Sequence, residues 1–211
     1  MSHNRYARLR RVAIYCDGFN LYHGIHDLAG RRYLWLDLEA LAGRLIRQDQ
    51  TIQKVRYFTA IVRNDHPARA RQMIYHRALT AHSSVELTLG RFQEKTGRCF
   101  SCGAGWRAYE EKETDVSIAV SLVADAVVDC FDVALLITAD SDLCPAIETI
   151  RQLRPELKII AVFPPRRRSE ALRRACDGVL HINEAILRAS QLPEVVQADD
   201  GHKYRRPTYW A

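Results

Sequence analysis

The sequence contains no apolar run that approaches the roughly 20 residues needed to cross a bilayer. The apolar stretch nearest the N-terminus, Val12 to Cys16, stops at Asp17 and is too short for the apolar region of a signal peptide. Nothing in the sequence marks the chain for export. These absences argue against a membrane-spanning class, and we expect a cytoplasmic protein that has no membrane partner.

The motifs of several common catalytic classes are also missing. There is no Walker A phosphate loop, no Gly-x-Gly-x-x-Gly motif and no Ser/His/Asp nucleophile elbow. A nucleophilic Asp-x-Asp motif would need an aspartate at Phe19, two residues after Asp17. A phosphatase or other phosphotransferase is therefore a weakly supported function.

Cysteines are few and offer only half of a zinc site. Cys99 and Cys102 have zinc-knuckle spacing, but a structural zinc needs four ligands and no second pair follows. His82 or a second subunit would have to complete the site, and two reduced cysteines in a turn are an equal alternative. Structural Zn²⁺ is therefore not favoured. The remaining cysteines stand alone in apolar or helical segments and are predicted to be small core residues: Cys16, Cys130, Cys144 and Cys176.

Positive charge exceeds negative charge, with 31 Lys and Arg against 25 Asp and Glu and a formal net charge of +6. The arginines are clustered, and a polyanion such as RNA is a plausible partner. A solvated surface rich in arginine is the equal alternative. The candidate RNA-binding residues are Arg166, Arg167, Arg168, Arg173 and Arg174.

Apolar patterning predicts alternating strands and helices. Runs rich in β-branched residues predict the strands Val12–Cys16, Val55–Val62, Val133–Thr138 and Ile159–Phe163. The predicted helices are Leu38–Arg47, His66–His82, Glu113–Cys130, Leu143–Leu153 and Ser169–Cys176. This order favours a three-layer α/β/α domain with a mainly parallel sheet, in which ligands bind at the carboxyl ends of the strands.

The alternation sets the expected domain organisation. We expect one domain over residues 9–190 and an irregular C-terminal tail over residues 191–211. A small cysteine-containing insert, about residues 90–110, breaks the alternation and is expected to form a hairpin or knuckle.

Asp17 ends the first predicted strand and is followed closely by Asn20. Gly18 permits a turn that returns Asn20 to the same edge of the sheet. Both side chains can then face one crevice. Capping of a following helix by Asp17 is the structural alternative.

The strand that begins at Val133 runs into Asp140, Ser141 and Asp142. Crowded carboxylates raise one another's pKa and destabilise a fold, so a bound cation would explain why they occur together. Helix capping by Ser141 or Asp142 is compatible with that role.

Asp115 opens a predicted helix and lies off its polar stripe, which consists of Ser117, Ser121, Asp125 and Asp129. On a helical wheel Asp115 falls with the apolar residues, so we expect its carboxylate to face the covered side of the helix. Such a carboxylate needs a cation, an arginine or backbone donors as partner. The structural alternative is that backbone N–H groups of the first helical turn are the partners of this carboxylate.

Three segments thus offer carboxylates to one sheet edge, with Asn20 and Ser141 as neutral oxygen ligands. Oxygen-only sites suit Mg²⁺ or Mn²⁺, and Mg²⁺ is often completed by a substrate phosphate. Such an ion polarises a phosphodiester and orients a water. The pattern therefore favours metal-dependent phosphodiester chemistry.

The three acidic segments resemble the motifs of bacterial NYN-domain proteins of the LabA-like group. They are Asp17-Gly18-Phe19-Asn20, Glu113-Thr114-Asp115-Val116 and Thr138-Ala139-Asp140-Ser141-Asp142, and the resemblance runs from about Arg11 to Trp210. Family members commonly have Gly where Ala139 stands. The resemblance implies a PIN-like nuclease fold and divalent-metal-dependent cleavage of RNA. It also implies metal ligation by Asp17, Asp115, Asp140 and Asp142, assisted by Asn20 and Ser141.

Aromatic and basic residues interleave in the tail, where Tyr204, Tyr209 and Trp210 are candidates for stacking on unpaired bases. The alternative is that the tail packs on its own domain or on a partner subunit of a homo-oligomer. The leading hypothesis for the whole chain is a metal-dependent endoribonuclease. Its rival is a non-catalytic RNA-binding or regulatory NYN-domain protein.

Overall fold

Strands and helices alternate along the chain in a computed structural model, which describes residues 8–63, 65–98, 100–103 and 105–210. The strands are β1 (Arg10–Asp17), β2 (Gln50–Ala60), β3 (Glu86–Arg98), β4 (Gly105–Lys112), β5 (Val133–Ile137), β6 (Lys158–Phe163), β7 (Gly178–His181), β8 (Val195–Gln197) and β9 (Lys203–Arg205). The helices are α1 (Gly18–Ala29), α2 (Leu38–Leu45), α3 (His66–His82), α4 (Thr114–Val127), α5 (Cys144–Leu153), α6 (Glu170–Ala175) and α7 (Glu184–Ala189). The predicted strands and helices all occur, with ends shifted by a few residues.

The central sheet has the order β4-β3-β2-β1-β5-β6-β7. Its strands pair in parallel except for β3 and β4, which pair antiparallel as a hairpin. The hairpin is the form that the insert takes over the residues described there. β1 lies between β2 and β5, so its carboxyl end meets theirs at the middle of the sheet.

Each face of the sheet is covered by helices, which confirms the expected three-layer α/β/α arrangement. Successive residues of β1 point to opposite faces, with Ile14 in one core and Tyr15 in the other. The first core contains residues of α1, α2, α3 and α7 together with Trp35. The second contains residues of α4, α5 and α6, including Leu122 and Leu172.

The side of α4 that faces the sheet differs from the prediction. Asp125, expected on a solvent-facing stripe, is 6% exposed and accepts a hydrogen bond from the Tyr15 hydroxyl at 2.7 Å. Lys54 Nζ and Arg56 Nη1 lie 3.4 and 3.5 Å from its carboxylate. Because these partners come from β1 and β2, the polar residue lies on the buried side of the helix. The helical wheel did not predict the burial of Asp125, since the charge of a residue does not show which side of its helix is covered.

The tail forms regular secondary structure, whereas the sequence predicted an irregular segment. Strands β8 and β9 pair antiparallel, and Trp210 is 8% exposed within the first core. The ring of Trp210 lies 6.5 Å from that of Trp35 and 6.0 Å from that of Tyr75, measured between centroids. The tail therefore packs on its own domain, which is the alternative that the sequence left open.

Among the residues that the structure describes, no helix is both long enough and apolar enough to span a membrane.

Candidate functional site

Asp17 is the last residue of β1 and the N-cap of α1, and its side chain is held on several sides. The carboxylate accepts hydrogen bonds from the Asn20 backbone N–H at 3.0 Å, from Asn20 Nδ2 at 2.6 Å and from Thr138 Oγ1 at 2.9 Å. The residue is 3% exposed. Burial raises the pKa of Asp17, and the charge of Asp140 adds to this, although the three hydrogen bonds act in the opposite direction.

Asn20 and Thr138 also connect the end of β1 to the segment after β5. The Asn20 side-chain oxygen accepts from the Ala139 backbone N–H at 3.3 Å, and Thr138 Oγ1 accepts from the Asp140 backbone N–H at 3.1 Å. The buried Thr138 therefore links the two acidic segments. Sequence reasoning assigned it to a strand and missed this role; its position two residues before Asp140 was the available signal.

Asp140 itself caps the short 3₁₀ turn Ser141–Leu143, because its carboxylate accepts from the Asp142 backbone N–H at 2.9 Å. Ser141 and Asp142 were the alternatives considered as caps, but the cap of this turn is the preceding residue, Asp140. Asp140 is half-buried, whereas Ser141 and Asp142 are exposed. Two side chains of this segment are thus left open to solvent at the carboxyl edge.

Asp115 is the second residue of α4 and is exposed, so the expectation that it faces the covered side of the helix is wrong. The buried side instead begins at Thr114 and continues through Ile118 and Leu122. The carboxyl pKa of Asp115 is nevertheless raised to about 6. Partial burial is the largest cause, followed by the charges of Asp140, Asp17 and Asp142. The carboxylates from all three segments therefore act on one another.

The acidic residues offer oxygen donors that suit a divalent cation. Within the part of the chain that the structure describes, no three His, Cys, Asp or Glu side chains lie close enough together to hold one ion. Mg²⁺ in such sites keeps several waters and needs only one or two carboxylates directly. Oxygen donors whose charges oppose one another also fit a hard cation, which would offset that repulsion. The residues present fit Mg²⁺ or Mn²⁺ by their chemistry, without a preformed cage.

The candidate RNA-binding arginines divide into two groups. Arg173 and Arg174 pair with Glu170 at 2.6 and 3.2 Å, which is the ion-pair alternative considered for them. Arg167 pairs with Asp27 at 2.9 Å. Arg166 and Arg168, in the loop after β6, are exposed and form no ion pair with another described residue. This loop follows a parallel strand and so lies at the same edge as the carboxylates.

A cavity of about 260 Å³ lies beside the acidic edge and was not predicted from the sequence. Gly18 and Phe19, which follow Asp17, form part of its wall. The other walls come from β2, α3 and the tail. The available signal was a polar residue on the covered side of α3: His76 is 4% exposed and adjoins the buried Tyr75.

The zinc hypothesis gains no support from the described residues. Cys102 is exposed, and Cys99 lies outside the described residues. His82, the suggested additional ligand, has its Nε2 3.4 Å from a carboxylate oxygen of Asp37.

Comparison with known proteins identifies a matching family, a similar sequence and a similar structure. The family model described as NYN domain matches residues 11–183. The chain is similar to 6-hydroxy-3-succinoylpyridine 3-monooxygenase HspA of Pseudomonas putida (strain DSM 28022 / S16), with 28% identity over 239 aligned positions that span 94% of this chain and 73% of the relative. It is also similar in structure to a protein of unknown function from Vibrio parahaemolyticus RIMD 2210633. That likeness has a TM-score of 0.54 at 20% identity and covers 89% of this chain and 99% of the other, which supports the fold alone.

Proposed function

The chain belongs to the NYN domain family, within the PIN-like nuclease superfamily, and from this membership we propose that it is a divalent-metal-dependent endoribonuclease that acts at the carboxyl edge of the sheet. The observation that carries the proposal is the set of hydrogen bonds by which Asn20 and Thr138 join Asp17 to the segment of Asp140. The charges of Asp17, Asp140 and Asp142 also contribute to the raised pKa of Asp115, from a third segment. Carboxylates from three separate segments therefore share one electrostatic environment. No organic cofactor is required for hydrolysis.

Of Asp17, Asp115 and Asp140, one or two would bind Mg²⁺ or Mn²⁺ directly and the others through water, with Asp142 supporting that ion or a second one. Such an ion supplies charge neutralisation for the scissile phosphate and makes water a better nucleophile. The protein's own part is positioning: Asn20 and Thr138 fix the Asp17 carboxylate through hydrogen bonds. Ser141 is exposed beside Asp140 and offers a neutral oxygen to the same region.

The arginines would contribute to affinity for the RNA backbone. Phosphate contacts from arginine give binding strength and salt dependence without selecting a sequence. Arg166 and Arg168 are assigned the larger share because they form no ion pair with another described residue, whereas Arg167, Arg173 and Arg174 are paired with acidic residues.

Gel-resolved cleavage of mixed structured and single-stranded RNA tests the proposal. We expect fragments with Mg²⁺ or Mn²⁺ and none with EDTA, and we expect Asp17→Asn and Asp140→Asn each to abolish cleavage. Asp199→Asn, which removes an exposed carboxylate in the tail, serves as the matched control and should cleave like the wild type. Cleavage that survives both active-site substitutions would contradict the proposal.

The rival is a regulatory or RNA-binding protein that uses the same site without cleaving. Binding measured beside the cleavage assay separates the two. Metal-dependent RNA binding that is weakened by Asp140→Asn, with RNA left intact throughout, would favour this rival.

A second candidate function comes from the Pseudomonas putida relative, whose name describes oxygenation of a hydroxypyridine. The observation that favours it is the cavity beside the acidic edge, which is lined by aromatic side chains. A monooxygenase needs O₂ and two electrons from a reductant. Oxygen uptake that depends on both the protein and a hydroxypyridine, with reduced nicotinamide as electron donor, would support this candidate over the nuclease.

A further inference from the structure

We propose that the cavity between α1, α3 and the tail binds a single flat, nitrogen-containing aromatic ring that carries an anionic group. Its volume is about 260 Å³. An apolar cavity of about 150 Å³ is enough to hold benzene, so this one accommodates a ring with a substituent. A nucleotide of RNA and a free heteroaromatic acid share this chemistry. Only the first of these sources rests on the proposed nuclease function.

Aromatic side chains provide the surfaces on which a ring would pack. Tyr57 and Tyr75 meet edge to face with centroids 6.3 Å apart, and Tyr75 meets Trp210 in the same way at 6.0 Å. All three line the cavity. Aromatic walls of this kind bind flat rings through stacked or edge-to-face contacts.

His76 provides the polar group for a ring nitrogen. It lines the cavity and is 4% exposed, and its Nε2 has no hydrogen-bond partner among the described residues. The nearby polar groups are already engaged: Tyr75 donates to the Leu36 carbonyl at 2.8 Å, and Gln72 bonds the backbone of Ala60 and Val62 at 2.9 Å each. A buried polar atom without a partner is unfavourable. A ring nitrogen or N–H group would satisfy it.

Arginines at the exposed end of the cavity provide the site for the anion. The guanidinium carbons of Arg31 and Arg71 lie 4.2 and 4.4 Å from the ring centroid of Tyr209, which is 51% exposed. Asp65 also lines the cavity, but its carboxylate accepts from the Ala68 backbone N–H as the N-cap of α3. Two arginines and one aspartate therefore lie at this end, which gives it a net positive charge. A carboxylate or phosphate is the substituent that they favour.

Isothermal titration calorimetry with three probes in EDTA tests the proposal. The probes are uridine monophosphate, nicotinate and, as an anion without a ring, ribose 5-phosphate. We expect one or both of the ring-bearing probes to bind, about tenfold or more tighter than ribose 5-phosphate. Binding should persist in Asp140→Asn, so the result does not depend on whether the acidic site cleaves RNA.

Variants locate the binding. Ala68 lines the cavity, whereas Ala70 is exposed on the same helix. Ala68→Trp should abolish binding and Ala70→Trp should leave it unchanged. Arg71→Ala and His76→Phe should each weaken it about tenfold. Circular dichroism checks folding, and if Ala68→Trp does not fold, the latter two variants decide.

The outcomes separate the two sources. Binding of uridine monophosphate alone assigns the cavity to a base of RNA, and binding of nicotinate alone assigns it to a free heteroaromatic acid. Binding of both supports recognition of ring and anion only. No binding by either probe, or binding that survives both Arg71→Ala and His76→Phe, would overturn the proposal.

Discussion

At the scale of single residues, the acidic edge combines rigid and open carboxylates. Asp17 is buried and accepts three hydrogen bonds, whereas Asp142 is exposed. A fixed carboxylate needs little reorganisation when a ligand binds, and an exposed one can adjust to it. We expect this division to let the site accept a hydrated ion without moving β1.

Asp140→Asn should stabilise the protein at alkaline pH in EDTA. The pKa of Asp115 is about 6 in the fold and near 3.8 in an unfolded chain, so the folded state holds more protons between these values. Its contribution to stability is therefore present at low pH and is lost as pH rises through about 6. Removing the Asp140 charge lowers this pKa, while asparagine can still cap the turn. Urea unfolding at pH 8 measures the gain; a loss of stability there would contradict the expectation.

His76 should make stability fall as the pH becomes acidic. Burial lowers its pKa from 6.5 to about 4, so the unfolded chain binds the extra proton between these values. Stability is thus lost as pH drops from about 6.5 to 4, by up to about 3 kcal/mol. Comparing urea unfolding of wild type and His76→Phe at pH 7 and pH 4.5 isolates this effect from that of Asp115, which has the opposite sign. Equal pH dependence in both proteins would exclude it.

At the scale of elements, α1 packs very closely on the loop after β6. A Cβ added at Gly24 would lie 2.7 Å from Pro164 Cβ and 2.8 Å from the Pro165 carbonyl oxygen. Gly24→Ala should therefore cost about 1–3 kcal/mol of stability. Gly43 in α2 meets nothing within 4 Å of such a Cβ, so Gly43→Ala should instead stabilise by about 0.5–1 kcal/mol. Thermal unfolding of the two variants makes the comparison, and equal melting temperatures would refute it.

Asp125 joins α4 to β1 and β2 through a buried polar contact. Asp125→Ala leaves the Tyr15 hydroxyl and Lys54 without their partner, although Arg56 keeps Glu86 at 2.9 Å, and the change should cost about 3 kcal/mol. A double-mutant cycle with Tyr15→Phe, followed by urea unfolding, measures the share of the 2.7 Å hydrogen bond. Strict additivity of the two substitutions would show that this bond contributes nothing.

The elements were predicted best where the sequence marks their ends. The helix His66–His82 was predicted with its observed ends, since Asp65 and Pro67 mark its start. Helix α1 was not predicted as a segment, because it begins directly after β1 and its N-cap residue, Asp17, was assigned to the acidic site. Short β7 and α7 carry too few residues to show an apolar period.

The convergence of Asp17 and Asp140 was predictable because both follow strand ends, and parallel topology brings such ends together. The burial of the individual acidic residues was not predictable. Whether Asp115 or Asp125 faces the sheet depends on the partners that β1 and β2 provide, and these are distant in sequence. The cavity was missed for the same reason, since its walls come from segments that meet only in the folded chain.

At the scale of the whole molecule, the tail closes one core. Trp210 is 8% exposed against Trp35 and Tyr75, whereas the neighbouring Tyr209 is 51% exposed. Trp210→Ala should cost about 3–5 kcal/mol. Tyr209→Ala, as the matched control, should cost no more than about 1 kcal/mol. Urea unfolding distinguishes them, and similar losses would mean that the Trp210 contact is not part of the core.

The contact between Trp35 and Trp210 also has a consequence for folding during translation. Chains emerge from the ribosome in order, and domains fold as their segments become available. Strands β1 to β7 all precede Trp210 in the chain, so a nascent chain that has emerged only as far as β7 leaves Trp35 and Tyr75 without their contact to Trp210. A ligand that needs the Trp210 wall cannot bind until that residue has emerged.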